Sequence, residues 1–276
     1  NRRYVPKRVA RTNYTSRKNQ GEEGHMVQAI TDPVEAAAQL KERVDAAGKV
    51  VFFGGAGVST ASGIPDFRSE DGLYSQHFKY PPETMLGHQF FCEHTAEFYK
   101  FYRERMIALG AKPNQAHKKL AELEAEGKLT AVVTQNIDGL HQAAGSKNVF
   151  ELHGSVHRNV CRRCGATYSA EWILGRESDD ADGVPHCPEC GGLIKPDVVL
   201  YGESLDERVI EGAVEAIADA DLLIIGGTSL AVYPAAGLID YYRGNKLVLV
   251  NKSPTPADRR ADLVIHAPIG EVFSQL

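Results

Sequence analysis

The chain has 276 residues, 43% hydrophobic and 24% charged, a balance that fits one large globular domain plus a smaller module and excludes a low-complexity or fibrous protein. No run of about 18 uncharged apolar residues occurs, so no membrane-spanning helix is expected. The net charge is −5, but residues 1–25 carry +5 and leave −10 for the remainder; that acidic body argues against broad nucleic-acid binding, and neither a membrane nor a direct nucleic-acid partner is expected.

The basic stretch 1–25 lacks apolar periodicity and reads as a disordered tail or a cloning-derived segment. Gly24-His25-Met26 resembles a cloning remnant, with Met26 as the natural start. Asp32-Pro33 reads as the N-cap and first-turn proline of a helix. Val34, Ala37, Leu40 and Val44 share one face of it, and Gly48 stops it. Val50–Phe53 is a short buried strand that runs into GGAGVSTASGIPDFR, residues 54–68. Gly55 and Gly57 allow close approach to a pyrophosphate, yet Thr60 stands where the dinucleotide fingerprint wants a third glycine. No strand-end acid follows about 20 residues later to grip a ribose. The loop therefore describes a phosphate cradle without the usual hydride-carrier site. Ser59 and Thr60 can donate to phosphate, Arg68 adds a charge-assisted contact, and Phe67 can cap an apolar face of a sugar or ring.

Residues 88–109 read as one helix, with Phe91, Phe98, Phe101 and Tyr102 at near-helical spacing and Cys92 as buried packing among aromatics. A further helix runs from Pro113-Asn114 to Leu123. Thr130–Thr134 is a second buried strand, ending in Gln135-Asn136-Ile137-Asp138. Val149–Leu152 is a third, ending at His153-Gly154. Strands are also expected at Asp197–Tyr201, at Leu222–Ile225 (ending in Gly226-Gly227-Thr228-Ser229), at Lys246–Val250 (ending at Asn251) and at Leu263–His266. Glu207–Ala218 and Pro234–Tyr242 read as helices, and 158–194 as irregular.

Apolar strands alternating with helices predict an α/β fold, a parallel Rossmann-like sheet covered by helices on both faces. Residues 26–157 and 195–276 would form this domain, with a helical insertion at about 69–112 and a small module at 158–194. Polar and glycine residues follow each strand at its C-terminal end, where open parallel sheets bind ligands. Asn136 and Asp138 are costly to bury unpaired. His153, at the same edge, is a candidate general base. His117 and His141 read as packing or local hydrogen bonding.

Cys161-x2-Cys164 and Cys187-x2-Cys190 are separated by 22 residues, close to a zinc-ribbon spacing. Four thiolates close a tetrahedral site and leave no open position, so the Zn2+ is structural. The intervening segment is polar (Asp179, Asp180, Asp182) with little core of its own. Cysteine pairs that bind metal point to a reducing, cytoplasmic compartment.

GAGVSTASGIPDFR, TQNIDGLH, ELHGS, the paired CxxC motifs, KPDVVLYGE, GTSLAVYPAA and the VN dipeptide occur in one order from about Val34 to the C-terminus. In this the chain resembles the sirtuins, NAD-dependent protein deacylases, of bacterial type. The resemblance implies that NAD is consumed as a co-substrate, with its nicotinamide near Asn136, Ile137 and Asp138. It implies that the acyl-lysine amide oxygen attacks the ribose carbon and that His153 is the general base on a ribose hydroxyl. The products would be free lysine, nicotinamide and O-acyl-ADP-ribose. Phe67 would shield the reaction from water, and Asp66 and Arg68 would order the loop and the phosphates. Ala56, Thr60, Gln135, Gly227, Thr228, Ser229 and Asn251 would line the dinucleotide. The acetylated-lysine partner would lie against Val198, Leu200, Gly202 and Glu203 on one side and Leu230 and Val232 on the other, read through its backbone.

Sirtuins that remove succinyl or malonyl groups carry a Tyr-x-x-Arg pair. Here the matching stretch, EFYKFYRERM, places Tyr99 and Tyr102 at those two sites, with Arg103 and Arg105 displaced along the helix. Deacetylation is therefore expected over desuccinylation. Mono-ADP-ribosyl transfer in the same pocket is the alternative activity, and a non-enzymatic binding module the alternative class.

Overall fold

The computed structural model describes residues 28–175 and 182–276, so the expected tail at 1–25 and the acids Asp179 and Asp180 lie outside the described residues. The first helix, α1 (Pro33–Ala46), starts as the sequence predicts: Asp32 Oδ1 accepts from the backbone amides of Val34 and Glu35 at 3.1 and 2.8 Å. Val34 departs from the expected face and is 62% exposed, while Ala36 joins Ala37, Leu40 and Val44 in the core.

Strand β1 (Val50–Gly54) follows and is buried along its whole length. Val50 and Phe52 point into one core cluster and Val51 and Phe53 into another, as the two-residue period of a strand requires. Burying each such side chain contributes about 1.5–3 kcal/mol. Next come the short helices α2 (Pro82–Met85), α3 (His88–Glu93) and α4 (Thr95–Phe101), and then a π-helical turn over Tyr102–Met106. The single helix expected at 88–109 is thus broken at His94 and widened after Phe101. Helix α5 (Gln115–Ala125) and strand β2 (Leu129–Thr134) restore the alternation, followed by α6 (Leu140–Ala144) and β3 (Val149–Glu151).

The chain then leaves the large sheet. Strands β4 (Gly154–Cys161), β5 (Thr167–Tyr168) and β6 (Ile194–Val198) form an antiparallel sheet in the order β5-β4-β6, with α7 (Ala170–Gly175) beside it. The segment expected to be irregular carries real pairing, because β4 and β6 run back from the cysteine knuckles. The strand expected at Asp197–Tyr201 therefore belongs to this second sheet and ends at Val198.

Helix α8 (Glu207–Ala218), β7 (Leu222–Gly226), a 3-10 helix at Ala235–Tyr241, β8 (Leu247–Val250), β9 (Leu263–Ile265) and α9 (Ile269–Ser274) complete the fold. The six-stranded sheet has the order β3-β2-β1-β7-β8-β9, and its pairings are parallel. Strand order reverses between β1 and β7, the place where such sheets open a crevice for ligands.

One core cluster joins the sheet to α1, α5 and α9, and a second joins it to α8 and the 3-10 helix. A third is shared by the helical insertion and the cysteine module: Phe91, Phe98, Tyr99 and Tyr102 pack with Cys161, Cys187, Ile173 and Ile194. The module does not stand on its own small core. It leans on the insertion, and Arg103 ties the two, donating to the carbonyls of Ile173 (3.1 Å) and Gly183 (2.6 Å).

Candidate functional site

The strand ends converge. A cavity of about 780 Å³ opens over the β1–β7 reversal, within the range of small-molecule sites. From the first loop its wall takes Gly55, Ala56, Gly57, Ser59, Thr60, Asp66, Phe67 and Arg68. From the end of β2 it takes Gln135 to Asp138, and from the end of β3 His153. Gly227, Thr228 and Ser229 follow β7, and Asn251 follows β8.

Local geometry explains why these loops can meet. A Cβ on Gly57 would come within 2.9 Å of the Gly227 backbone, and one on Gly55 within 2.8 Å of Thr228. The two glycine loops thus press against each other, a use of Gly55 and Gly57 that is additional to any phosphate. Gly227, at φ +59°, sits in the left-handed region that glycine tolerates. Asp66 caps its own turn: Oδ1 accepts from the amides of Arg68 (3.1 Å) and Ser69 (2.8 Å). Phe67 is half-buried, edge-on to Tyr74 at 5.6 Å, and Arg68 lies over the same Tyr74 ring.

His153 is held by its Nδ1, which lies 2.9 Å from the Gln135 carbonyl oxygen. A carbonyl only accepts, so Nδ1 carries the proton and Nε2 keeps its lone pair. Burial lowers the His153 pKa from 6.5, opposed by the Gln135 hydrogen bond, so the neutral imidazole is favoured. Gln135 is fixed in turn by its side chain, which donates to Thr228 Oγ1 at 2.9 Å. Asp138 accepts from Ser59 Oγ (2.6 Å) and from the Leu140 amide (2.9 Å).

Val198, Leu200, Gly202, Glu203 and Val232 line the cavity mouth. The Glu203 carboxylate is already committed, to Lys195 at 3.0 Å, His88 at 2.8 Å and the Leu200 amide at 2.9 Å. Three expected substrate residues do not reach the cavity. Tyr99 and Tyr102 are 0% and 1% exposed in the third core cluster, and Tyr99 donates its hydroxyl to the Ile194 carbonyl. Leu230, at φ +54°, is turned into the core beneath β7. Cys92, expected to be buried, is exposed, with Sγ 3.5 Å from His88 Nε2; the buried residues of α3 are Phe90 and Phe91.

Sequence reasoning missed Met106, Leu73 and Leu86, and read Arg105 only as displaced along a helix; Arg105 and Met106 reach the cavity from the π-helical turn. Tyr201 and Tyr233, which also line it, fall within the segments 198–203 and 230–233 expected to flank the peptide. Leu73 and Leu86 look like any core leucine.

The four cysteine sulfurs lie within 4.8 Å of one another, with Cys161–Cys190 at 3.5 Å and Cys164–Cys187 at 3.6 Å. Tetrahedral zinc with bonds of about 2.3 Å sets its sulfurs about 3.8 Å apart, so the set fits Zn2+. The Arg163 amide faces Cys161 Sγ at 3.4 Å, and the Tyr168 hydroxyl lies 3.0 Å from Cys187 Sγ.

With this geometry in view, the comparisons decide the family. Residues 55–234 match the Sir2 family model. The chain belongs to the Sir2 family. A Clostridium acetobutylicum protein named NAD-dependent protein deacetylase is 59% identical to this Sir2 chain, over 85% of the chain and 95% of the relative. A Clostridium perfringens protein of the same name is 57% identical, over 86% and 97%. Among solved structures, a Sir2–p53 peptide–NAD+ complex has a TM-score of 0.77 at 41% identity, covering 86% of this chain and 95% of that one. Sir2 bound to acetylated peptide has a TM-score of 0.77 at 39%, covering the same shares.

Buried neutral histidines give this Sir2 protein a pH signature. Burial lowers His117 to about 4 and His141 to about 3, from 6.5. The unfolded chain binds more protons below pH 6.5, so this stability is complete above that pH and is lost as pH falls toward the folded values. The urea midpoint should fall between pH 7 and pH 4.5. His141→Leu should flatten the slope by up to about 1.4 kcal/mol per pH unit, one proton's worth. An unchanged slope would remove His141 from this account.

Proposed function

We propose that this chain is an NAD-dependent protein-lysine deacetylase that consumes NAD and one water to give nicotinamide, O-acetyl-ADP-ribose and free lysine. The observation that carries the reading is His153: a neutral imidazole with its protonated nitrogen held by Gln135 and its basic nitrogen free, on the wall of the cavity over the β1–β7 reversal.

NAD supplies the chemistry as a co-substrate: its bond to nicotinamide is broken and its ADP-ribose accepts the acetyl group. The protein's own residues do the rest. Asn136, Ile137 and Asp138 hold the nicotinamide end, and His153 Nε2 takes a proton from a ribose hydroxyl. Phe67 excludes water, Arg68 and Thr60 meet the phosphates, and Gln135, Thr228, Ser229 and Asn251 hold the remaining dinucleotide. The peptide lies between Val198–Glu203 and Val232. Zinc at Cys161, Cys164, Cys187 and Cys190 is structural. Among the described residues no helix is long and apolar enough to cross a membrane. Reduced cysteines at a zinc site support a cytoplasmic protein, whose partners are acetylated proteins.

Acyl preference follows from the wall. Phe67, Leu73, Leu86, Met106 and Ile137 present an apolar lining that suits a methyl group. Arg105 favours a second reading, removal of acyl groups that carry a carboxylate, although its guanidinium rests over Phe78 at 5.5 Å. Mass spectrometry on one peptide with several acyl groups and NAD tests both. The expected result is a larger kcat/KM for acetyl-lysine than for succinyl-lysine. The reverse order, abolished by Arg105→Met, would establish the second reading. Label from NAD that stays on protein, with no soluble O-acetyl-ADP-ribose, would favour ADP-ribosyl transfer.

A further inference from the structure

Behind the cavity wall lies a chain of buried polar groups centred on Ser59. Its hydroxyl, on a residue 1% exposed, donates to Asp138 Oδ2 at 2.6 Å. Asn136 Nδ2 donates to the Ser59 hydroxyl oxygen at 3.1 Å. The third neighbour is His117 Nε2, at 3.5 Å, from a ring that is 0% exposed and does not line the cavity.

The tautomer of His117 is fixed by its place in the fold. It is the third residue of α5, and its Nδ1 accepts from the Asn114 backbone amide at 3.3 Å in a capping box. A neutral imidazole that accepts at Nδ1 carries its proton on Nε2. His117 therefore donates to Ser59, whose oxygen then takes two incoming hydrogen bonds and has one outgoing direction left, toward Asp138. The other tautomer would present a lone pair to Ser59 and draw its hydrogen off the carboxylate. A Ser59 oxygen whose hydrogen is spent on Asp138 can only accept from Asn136, which fixes the amide with its NH2 end inward and leaves its oxygen for a ligand. The Asn114 side chain pins the same helix end to the loop, donating to the Val58 carbonyl (2.7 Å) and Ser62 Oγ (2.9 Å). The His141 ring stands edge-on against His117 at 4.8 Å and limits its rotation.

We propose that His117 is a positioning residue for the cavity, acting through Ser59 to orient Asn136 and Asp138 toward the nicotinamide end of the bound dinucleotide. The inference rests on the deacetylase reading for its substrate. Its structural part, the coupling of His117 to Ser59, stands apart from any activity.

Two substitutions separate the arms of the ring. His117→Asn places an oxygen near Nδ1 and keeps the capping box but has no donor that reaches Ser59. His117→Gln places an NH2 near Nε2 and restores that donor. NAD affinity by calorimetry and kcat and KM with an acetyl-peptide are measured for both, alone and combined with Ser59→Ala. The expected result for His117→Asn is a loss of about three- to tenfold in NAD affinity and in kcat, the worth of one hydrogen bond, with peptide KM within about twofold of wild type. His117→Gln should recover most of it. In the Ser59→Ala background His117→Asn should add nothing further, as two residues of one chain require.

An Asn variant equal to wild type in NAD affinity overturns the proposal. So does the same loss with and without Ser59, or a Gln variant no better than Asn. Wild-type protein that binds NAD but deacetylates nothing would defeat the deacetylase reading, and the calorimetric cycle would still report on His117. If His117→Asn loses its cooperative melt, the cycle is run with His117→Gln, and a Gln variant below one-tenth of wild-type affinity counts against the proposal.

Discussion

Replacing His153 with alanine is expected to lower kcat for deacetylation by about 10²–10⁴-fold, the usual contribution of a general base. Because Gln135 fixes the proton on Nδ1, alanine removes the lone pair of Nε2 from the cavity wall. Binding should survive better than turnover. Gln135 keeps its bond to Thr228, and Ser59, Asn136 and Asp138 keep theirs to one another, so NAD affinity should change far less than kcat. Isothermal titration with NAD beside steady-state kinetics separates the two. His153→Ala with turnover near wild type would take His153 out of the chemistry. Since burial lowers the His153 pKa, the acid limb of the wild-type kcat profile should lie below pH 6.5, its base form persisting into mildly acidic solution.

The second large effect concerns the metal. Stripping zinc with a chelator, or Cys187→Ser, should unfold the antiparallel module and abolish activity, although no cysteine reaches the cavity. Removing the ion leaves four sulfurs packed together with nothing to hold them, and Cys161 and Cys187 are 2% exposed. The damage should spread. These cysteines share a core cluster with Phe91, Tyr99 and Ile194, and also with Val198 and Leu200, which line the cavity mouth. The Val199 amide moreover donates to the His153 carbonyl at 3.0 Å, so a loosened β6 disturbs the base directly. Metal analysis, circular dichroism and activity along one chelator titration should fall together. A metal-free chain that stays folded and active would refute the claim.

The chemistry was largely legible in the residues. The apolar strands β1 and β7 end in glycines and β8 in Asn251, and that pattern holds because a strand buried on both faces has nowhere to place polar groups except its ends. The Gly55–Ser59, Gln135–Asp138, His153 and Gly227–Ser229 segments could therefore be named before their meeting place was known. The cysteine spacing was equally readable, since metal ligation demands side chains of one type at short, fixed intervals.

Misreadings fell where contact depends on distant parts of the chain. Tyr99 and Tyr102 lie on a periodic aromatic stretch, and periodicity tells that a face is buried but not against what. It is buried against Ile173 and Ile194 of the cysteine module. The π-helical turn that carries Arg105 to the cavity leaves no mark in residue spacing, because it is set by packing and not by local preference. Leu230 adopts a left-handed backbone that its side chain disfavours, which no local rule would assign. The sequence by itself determined the parallel sheet, the zinc ligands and the polar strand ends, all consequences of local spacing and burial. Only the tertiary structure decided that His117 backs the site through Ser59, that Cys92 faces solvent, and that the helical insertion and the cysteine module share one core. The first and the last are contacts between residues far apart in the chain, the second is the lack of a cover over one helix face, and only the packing of the whole fold selects them.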